Sequence, residues 1–263
     1  METKKLSKRK KAFIRSLHQK KMRYKRNSFL IEGLKTTQAA LGADHKISTI
    51  YFSGKAKTEH LDRILKQAKE KRISVQKITD SDINEVSTLV NPDGMLAIGK
   101  IEHRNQSALI RTAGPNLFLY RINDPGNLGT IMRTAAWFDL QNIMLSKGSV
   151  DPYNPKVVRA SMGGLFHLDI VRNVDFEKMS KIVKSNNLKI ISADMSGKNI
   201  TGKQELPANF VLCMGSESHG LPDDIIEQSD LILSIPKLGT GESLNLAVST
   251  GIIMKDLVLS SRV

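Results

Sequence analysis

The chain has 263 residues, 40% of them hydrophobic, and a formal charge of +14 with histidines neutral, the composition of a globular protein of one large or two ordinary domains. No apolar run reaches the roughly 18 residues of a membrane span, and the start, "METKKLSKRKKAF", lacks the apolar core of a signal peptide. The single Cys213 excludes an internal disulfide and a multi-cysteine metal site, so the expected location is the cytoplasm.

The charge is unevenly placed. Residues 1–104 hold 24 Lys/Arg against 11 Asp/Glu, whereas residues 105–263 hold 16 against 15. The first 26 residues carry 12 basic side chains and one acid, Glu2. A basic excess confined to one half points to a polyanion partner, most often nucleic acid. The phosphate-contacting candidates are Lys8, Arg9, Lys10, Lys11, Arg15, Lys20, Lys21, Arg23, Lys25 and Arg26.

In chain order, Phe13, Ile14 and Leu17 recur at helical spacing among these cations and predict a basic amphipathic helix. A short apolar patch, Phe29 to Ile31, ends at Glu32-Gly33. Strands are expected at 47–53, 73–78 and 95–101, with helices at 59–71 and 81–89 between them, a small α/β unit. The polar stretch 105–115, ending in Gly-Pro, reads as a linker. The domains are therefore expected to be 1–104 and 116–263.

The second domain alternates again. Nearly continuous apolar runs at 116–122, 142–147, 189–194, 210–215 and 231–236 read as parallel strands covered on both faces. Between them, "NPKVVRASMGG" predicts a helix with Asn154 as cap, Pro155 in first place and Gly163 just past its end.

Ligands of such sheets bind where strands end, and three strand ends stand out. After the first, "NDPGNLGTIMRTA" starts a helix near Asn127, with Gly126 and Gly129 allowing close backbone approach and Arg133 further along. After the fourth, "MGSESHGLP" pins Glu217 between Gly215 and Gly220; His219 has no partner spacing and is left aside. After the fifth, "IPKLGTGESLNLAVSTGI" passes Gly239 and Gly241, with Ser243 expected to cap a helix buried on most sides and Asn245 expected to tie down a neighbouring loop. No Gly-x-Gly-x-x-Gly follows the first strand of either unit, and there is no phosphate loop, no Gly-x-Ser-x-Gly elbow and no His/Cys/Glu set at metal spacing.

Those three segments, in that order, resemble the three motifs of the SpoU (TrmH-type) RNA ribose methyltransferases of the SPOUT superfamily. "DPYNPKVVRASMGGLFHLDI" is similar to the family's linking segment, and "KKMRYKRNSFLIEG" looks like the opening of its substrate-binding domain, which is related to kink-turn-binding ribosomal proteins. The resemblance implies an α/β chain: a small RNA-binding α/β domain, then a parallel-sheet SPOUT domain with a deep trefoil knot that dimerises with a second copy. It implies S-adenosyl-L-methionine as cofactor, held by Met214, Gly215, Ile235, Leu244, Asn245 and Leu246, with no metal. It implies Arg133 as the residue that activates or positions the ribose, and Asn127, Glu217, Ser243 and Asn245 as braces of the pocket. Arg159 and Ser161 are expected to meet RNA or the partner subunit. Lys237 departs from the Met usual after "IP" in the family. The implied activity is 2′-O-methylation of RNA, 23S ribosomal RNA favoured over tRNA because of the separate first domain. A non-catalytic RNA-binding or ribosome-assembly factor is the alternative of another class.

Overall fold

The computed structural model describes residues 1–56, 59–102, 110–112, 114–200 and 206–260. The chain divides into two compact units, one of residues 1–102 with 151–166, the other of residues 103–150 with 167–263. Of the expected linker 105–115, residues 105–109 and 113 lie outside the described residues, and Pro115 already opens a strand. Residues 151–166, expected within the second domain, pack in the first unit.

In the first unit, α1 (Lys8–Ser16) is capped by Ser7, whose side chain accepts the Lys10 N–H. α2 (Lys20–Arg26) ends at Asn27 in the left-handed conformation, φ 49°. The single predicted helix is thus two, broken at residues 17–19. β1 (Ser28–Glu32), α3 (Leu34–Gly42), β2 (Ile47–Phe52), α4 (Glu59–Glu70), β3 (Ser74–Lys77), α5 (Asp80–Val86) and β4 (Met95–Lys100) follow. The sheet order is β1-β4-β2-β3, with β2 and β3 parallel and the other pairs antiparallel. Ile14 and Leu17 from the N-terminal helical region join Leu30, Tyr51, Leu96 and Ile98 in one apolar core. This leaves the opposite, lysine-rich face of α1 to water.

The insert 151–166 supplies α7 (Pro155–Ala160), capped by Asn154 as predicted. Two buried polar knots hold it. Arg23, only 2% exposed, donates from Nε to Asp151 (2.8 Å), and Tyr24 Oη donates to the same carboxylate. Arg159 donates to Glu32 (2.9 Å) and Thr88, while Ser87 and the Thr88 N–H also donate to Glu32. Arg23 and Arg159 are therefore internal partners of buried carboxylates, not open phosphate contacts. Ser161 is buried and donates to the Val158 carbonyl. Lys11 also turns inward, bridging Asp82 and Glu85. Lys8, Arg9, Lys10, Arg15, Lys20, Lys21, Lys25 and Arg26 remain exposed.

The second unit is a six-stranded, all-parallel sheet of β5 (Pro115–Leu119), β6 (Asn142–Ser146), β7 (Asp169–Val174), β8 (Lys189–Asn199), β9 (Phe210–Met214) and β10 (Leu231–Ser234), in the order β10-β8-β9-β5-β6-β7. Helices α6 (Pro125–Trp137), α8 (Phe176–Ser185), α9 (Asp223–Glu227) and α10 (Leu246–Ser260) accompany it. Strands β6 and β9 are buried along their whole length, as their unbroken apolar runs require. From central β5 the chain winds outward to β6 and β7, then returns on the other side so that β9 lies against β5. The direction of winding reverses between β5 and β9, the place where open parallel sheets make a ligand crevice beyond their strand ends.

Candidate active site

Beyond β9 the chain folds back at once. Ser216 and Gly220 exchange two backbone hydrogen bonds of 3.0 Å, and the His219 N–H donates to Ser216 Oγ. This tight loop holds Glu217 at its tip, facing the turn that follows β5. The Glu217 carboxylate accepts the Asn123 N–H (3.2 Å), the Asp124 N–H (3.2 Å) and Asn127 Nδ2 (3.1 Å).

That turn is the N-terminus of α6, which starts at Pro125 rather than near Asn127. Asp124 caps it, accepting the Asn127 N–H at 2.7 Å, and Pro125 holds the first helical position. The same signature was legible at Asn154-Pro155 and overlooked at Asp124-Pro125. Two carboxylates thus sit at one helix N-terminus, where the partial positive charge of unpaired N–H groups favours them.

Asn127 then passes the connection on. Its Oδ1 accepts Asn245 Nδ2 at 2.9 Å. Asn245 Oδ1 accepts the N–H groups of Ala247 (2.9 Å) and Val248 (3.3 Å), so Asn245 itself caps α10. This corrects the expectation for Ser243, which is exposed and lies before the helix. The relay Glu217–Asn127–Asn245 fixes both amide orientations, because each amide donates to one neighbour and accepts from the next.

α10 departs from expectation in a second way. Leu246, Ala247, Thr250, Ile253, Met254, Leu257 and Val258 make one buried stripe, and Gly251 packs against Thr134 of α6. Val248 and Leu259 are each 51% exposed, Leu244, just before the helix, is 52% exposed, and Trp137 of α6 84%.

Around the relay lie the other predicted residues. Met214 is buried at the end of β9, Leu246 is buried in the first turn of α10, and Ile235 is half-buried just past β10. Arg133 is on the exposed face of α6 with Thr130 and Trp137, without an ion pair among the described residues. Residues 235–244 make no hydrogen bond within the protein among the described residues, and Lys237 is exposed. Their peptide groups are open to a ligand.

Partial burial pushes the Glu217 carboxyl up, but the hydrogen bonds from Asn127, Asn123 and Asp124 outweigh it and hold it below the ordinary carboxylate range. A carboxyl whose pKa is lower in the folded state contributes stability above its unfolded pKa and loses it as pH falls through the folded value. Glu217→Gln is therefore expected to lower unfolding free energy by about 1 kcal/mol at pH 7, since the site is open to solvent. The gap between variant and wild type should close as pH falls through and below the ordinary carboxylate range. Unfolding midpoints across pH test this, and a gap that widens toward acid contradicts it.

Among the described residues no helix is long and apolar enough to cross a membrane, and no group of three or more His, Cys, Asp or Glu is placed to hold a metal.

Residues 114–255 match the model of the SpoU rRNA Methylase family, and residues 5–97 match that of an MRM3-like substrate binding domain. The chain is 29% identical over 245 residues to the Bacillus subtilis 23S rRNA (guanosine(2553)-2′-O)-methyltransferase RlmP, covering 92% of this chain and 93% of the relative. It is 35% identical over 160 residues to human mitochondrial rRNA methyltransferase 3, covering 59% of this chain and 37% of that one. The solved structure of an AdoMet-bound rRNA methyltransferase from Sinorhizobium meliloti superposes with a TM-score of 0.82 at 27% identity, covering 99% and 97% of the two chains.

Proposed function

Because the chain belongs to the SpoU rRNA methylase family, we propose that it is an S-adenosylmethionine-dependent methyltransferase acting on a ribose 2′-OH of ribosomal RNA. The observation that carries this is the relay Glu217–Asn127–Asn245, which draws the loops after β5, β9 and β10 into one constellation at the sheet's reversal point. The Bacillus subtilis and human relatives, both rRNA methyltransferases, support ribosomal RNA as substrate, and the AdoMet-bound Sinorhizobium meliloti structure supports the cofactor.

The residues fit that cofactor. An adenosyl group needs backbone donors and acceptors and a partly apolar wall; residues 235–244 leave their peptide groups unpaired among the described residues, and Met214, Ile235 and Leu246 supply apolar surface. Met214, Gly215, Ile235, Leu244 and Leu246, with Asn245, are the residues assigned to hold it. When bound, it supplies an electrophilic methyl group.

Arg133 is assigned to the substrate. An arginine side chain carries only donors and no acceptor for a proton, so Arg133 is a poor base. It instead holds an RNA phosphate and the 2′-oxygen in line for attack, and that phosphate assists removal of the hydroxyl proton. Glu217, Asn127 and Asn245 keep the helix ends α6 and α10 in register around this geometry, and Ser243 lies at the open rim.

Dimerisation through α6 and α10 belongs to the same proposal. Trp137, Leu244, Val248 and Leu259 offer an exposed apolar face that a second copy would cover. The knotted path, a cytoplasmic location and phosphate neutralisation by the exposed cations of α1 and α2 complete the reading.

Methyl incorporation from labelled S-adenosylmethionine into ribosomal RNA lacking the modification tests it. Arg133→Ala should reduce labelling about 100-fold or more while calorimetry finds cofactor binding retained. Equal labelling by wild type and variant contradicts the role of Arg133. RNA binding without cofactor binding in the wild type would favour an assembly factor, and labelling of tRNA alone would reverse the substrate.

A further inference from the structure

β5 leaves the sheet through a backbone that favours glycine. Arg121 takes φ +49°, a left-handed conformation that is unfavourable for a side chain with a Cβ and free of that penalty for glycine. The turn is laced to the end of β6. The Arg121 N–H donates to Ser146 Oγ (2.8 Å), and the Val150 N–H donates to the Ile122 carbonyl (2.7 Å). On the facing turn Gly148 has φ +93°, and a Cβ there would lie 3.7 Å from Arg121 Cγ, so the arginine stem runs alongside a residue with no side chain.

The guanidinium stacks on the Tyr120 ring, 5.3 Å from its centroid. It is exposed and makes no ion pair among the described residues. Lys147, in the turn that Arg121 touches, is likewise exposed and unpaired among the described residues. Two residues beyond Arg121 begins the Asn123–Asp124 segment gripped by Glu217. Nothing in the fold of this turn calls for arginine; its backbone calls for glycine. The cation stands there against that preference, over the Tyr120 ring, at the rim of the active site. Residues 105–263 are otherwise nearly balanced in charge.

We propose that Arg121, seconded by Lys147, is a substrate-positioning residue that binds a backbone phosphate of the RNA strand next to the target ribose. The inference rests on the RNA methyl-transfer reading above. The planar guanidinium forks onto two phosphate oxygens, and stacking on Tyr120 fixes its plane before RNA arrives, so little freedom is lost on binding.

Arg121→Gly separates this role from a structural one, because glycine relieves the backbone while removing the cation. Ribosomal RNA lacking the modification is the probe, with affinity read by filter binding over a series of salt concentrations and kinetics by methyl transfer. Arg121→Gly should keep or raise the thermal midpoint and leave S-adenosylmethionine affinity unchanged. It should weaken RNA affinity and raise KM for RNA about tenfold with kcat within twofold, and flatten the slope of log affinity against log salt by about 0.7–0.9. Arg121→Lys, which keeps charge without the fork, should fall between. RNA affinity and salt slope unchanged in Arg121→Gly overturn the proposal. So does a fall in midpoint with parallel losses of kcat and cofactor affinity, the signature of a structural residue. Filter binding needs no turnover, so this inference can fail with methyl transfer intact, and absent methyl transfer by the wild type strikes the functional reading instead.

Discussion

Gly215→Ala should abolish methyl transfer and cofactor binding together. A Cβ at this position would lie 2.0 Å from the Gly220 carbonyl carbon, 2.2 Å from the Leu221 nitrogen and 2.3 Å from the Gly220 oxygen. All three are backbone atoms, and Gly220 closes the paired loop with Ser216, so no flexible side-chain end can swing away. The loop must open, which withdraws Glu217 from Asn123, Asp124 and Asn127 and leaves Asn127 and Asn245 without their anchor. Overpacking of this kind costs about 1–3 kcal/mol and sometimes more, and backbone contacts this close put it at the upper end. A shift of about 1 Å in the groups that orient a substrate costs about 100-fold in rate. Calorimetry with S-adenosylmethionine, unfolding midpoints and labelled methyl transfer measure the three consequences. Gly42→Ala is the control: it ends α3, has nothing within 4 Å of an added Cβ, and should be neutral or slightly stabilising. Wild-type cofactor affinity in Gly215→Ala would contradict the close packing of this loop.

Asp151→Ala should destabilise the first unit by about 3–5 kcal/mol, because it leaves the Arg23 guanidinium buried without an anion. Tyr24 loses its acceptor at the same time, and the Tyr153 N–H loses the Asp151 Oδ1 it faces. Replacing both members by apolar residues, as in Arg23→Met with Asp151→Leu, should recover much of the loss, since desolvating the pair offsets most of its attraction. Urea unfolding of the two variants measures this, and a loss below 1 kcal/mol in Asp151→Ala would show that water reaches Arg23. The result bears on function through the fold. Asp151 and Arg159 belong to the insert that packs with the first unit, so a fragment ending at residue 104 lacks the oppositely charged partners of both Arg23 and Glu32.

The strands were legible where burial on both faces demands unbroken apolar runs, as in β6 and β9. β7, "DIVRNV", was not read as a strand: its first two residues close the linking segment, and Arg172 and Asn173 break the apolar run that follows. α3 escaped because its first N–H is met by Asp93, 59 residues away, and no local cap announces it. The three site loops were recognisable from their glycines and strand ends, and the SpoU resemblance gave their joint meaning. Their internal wiring was not: the sequence reads Ser243 as the cap, whereas Asn245 both caps α10 and ties to Asn127. Arg23 reads as one more cation in a basic run, since its partner is 128 residues on. Arg121 carried no signal at all, because a left-handed arginine differs from an ordinary one in backbone angle alone.

In the proposed reaction this chain methylates a ribose 2′-oxygen in ribosomal RNA through the site built on Glu217, Asn127, Asn245 and Arg133. Site-resolved mapping of 2′-O-methylation in ribosomal RNA from cells with and without the protein, complemented with wild type or Arg133→Ala, tests it most directly. The expected result is a defined ribosomal nucleotide whose methylation vanishes without the protein, returns with wild type and stays absent with Arg133→Ala. An unchanged methylation map, or full restoration by Arg133→Ala, would contradict it.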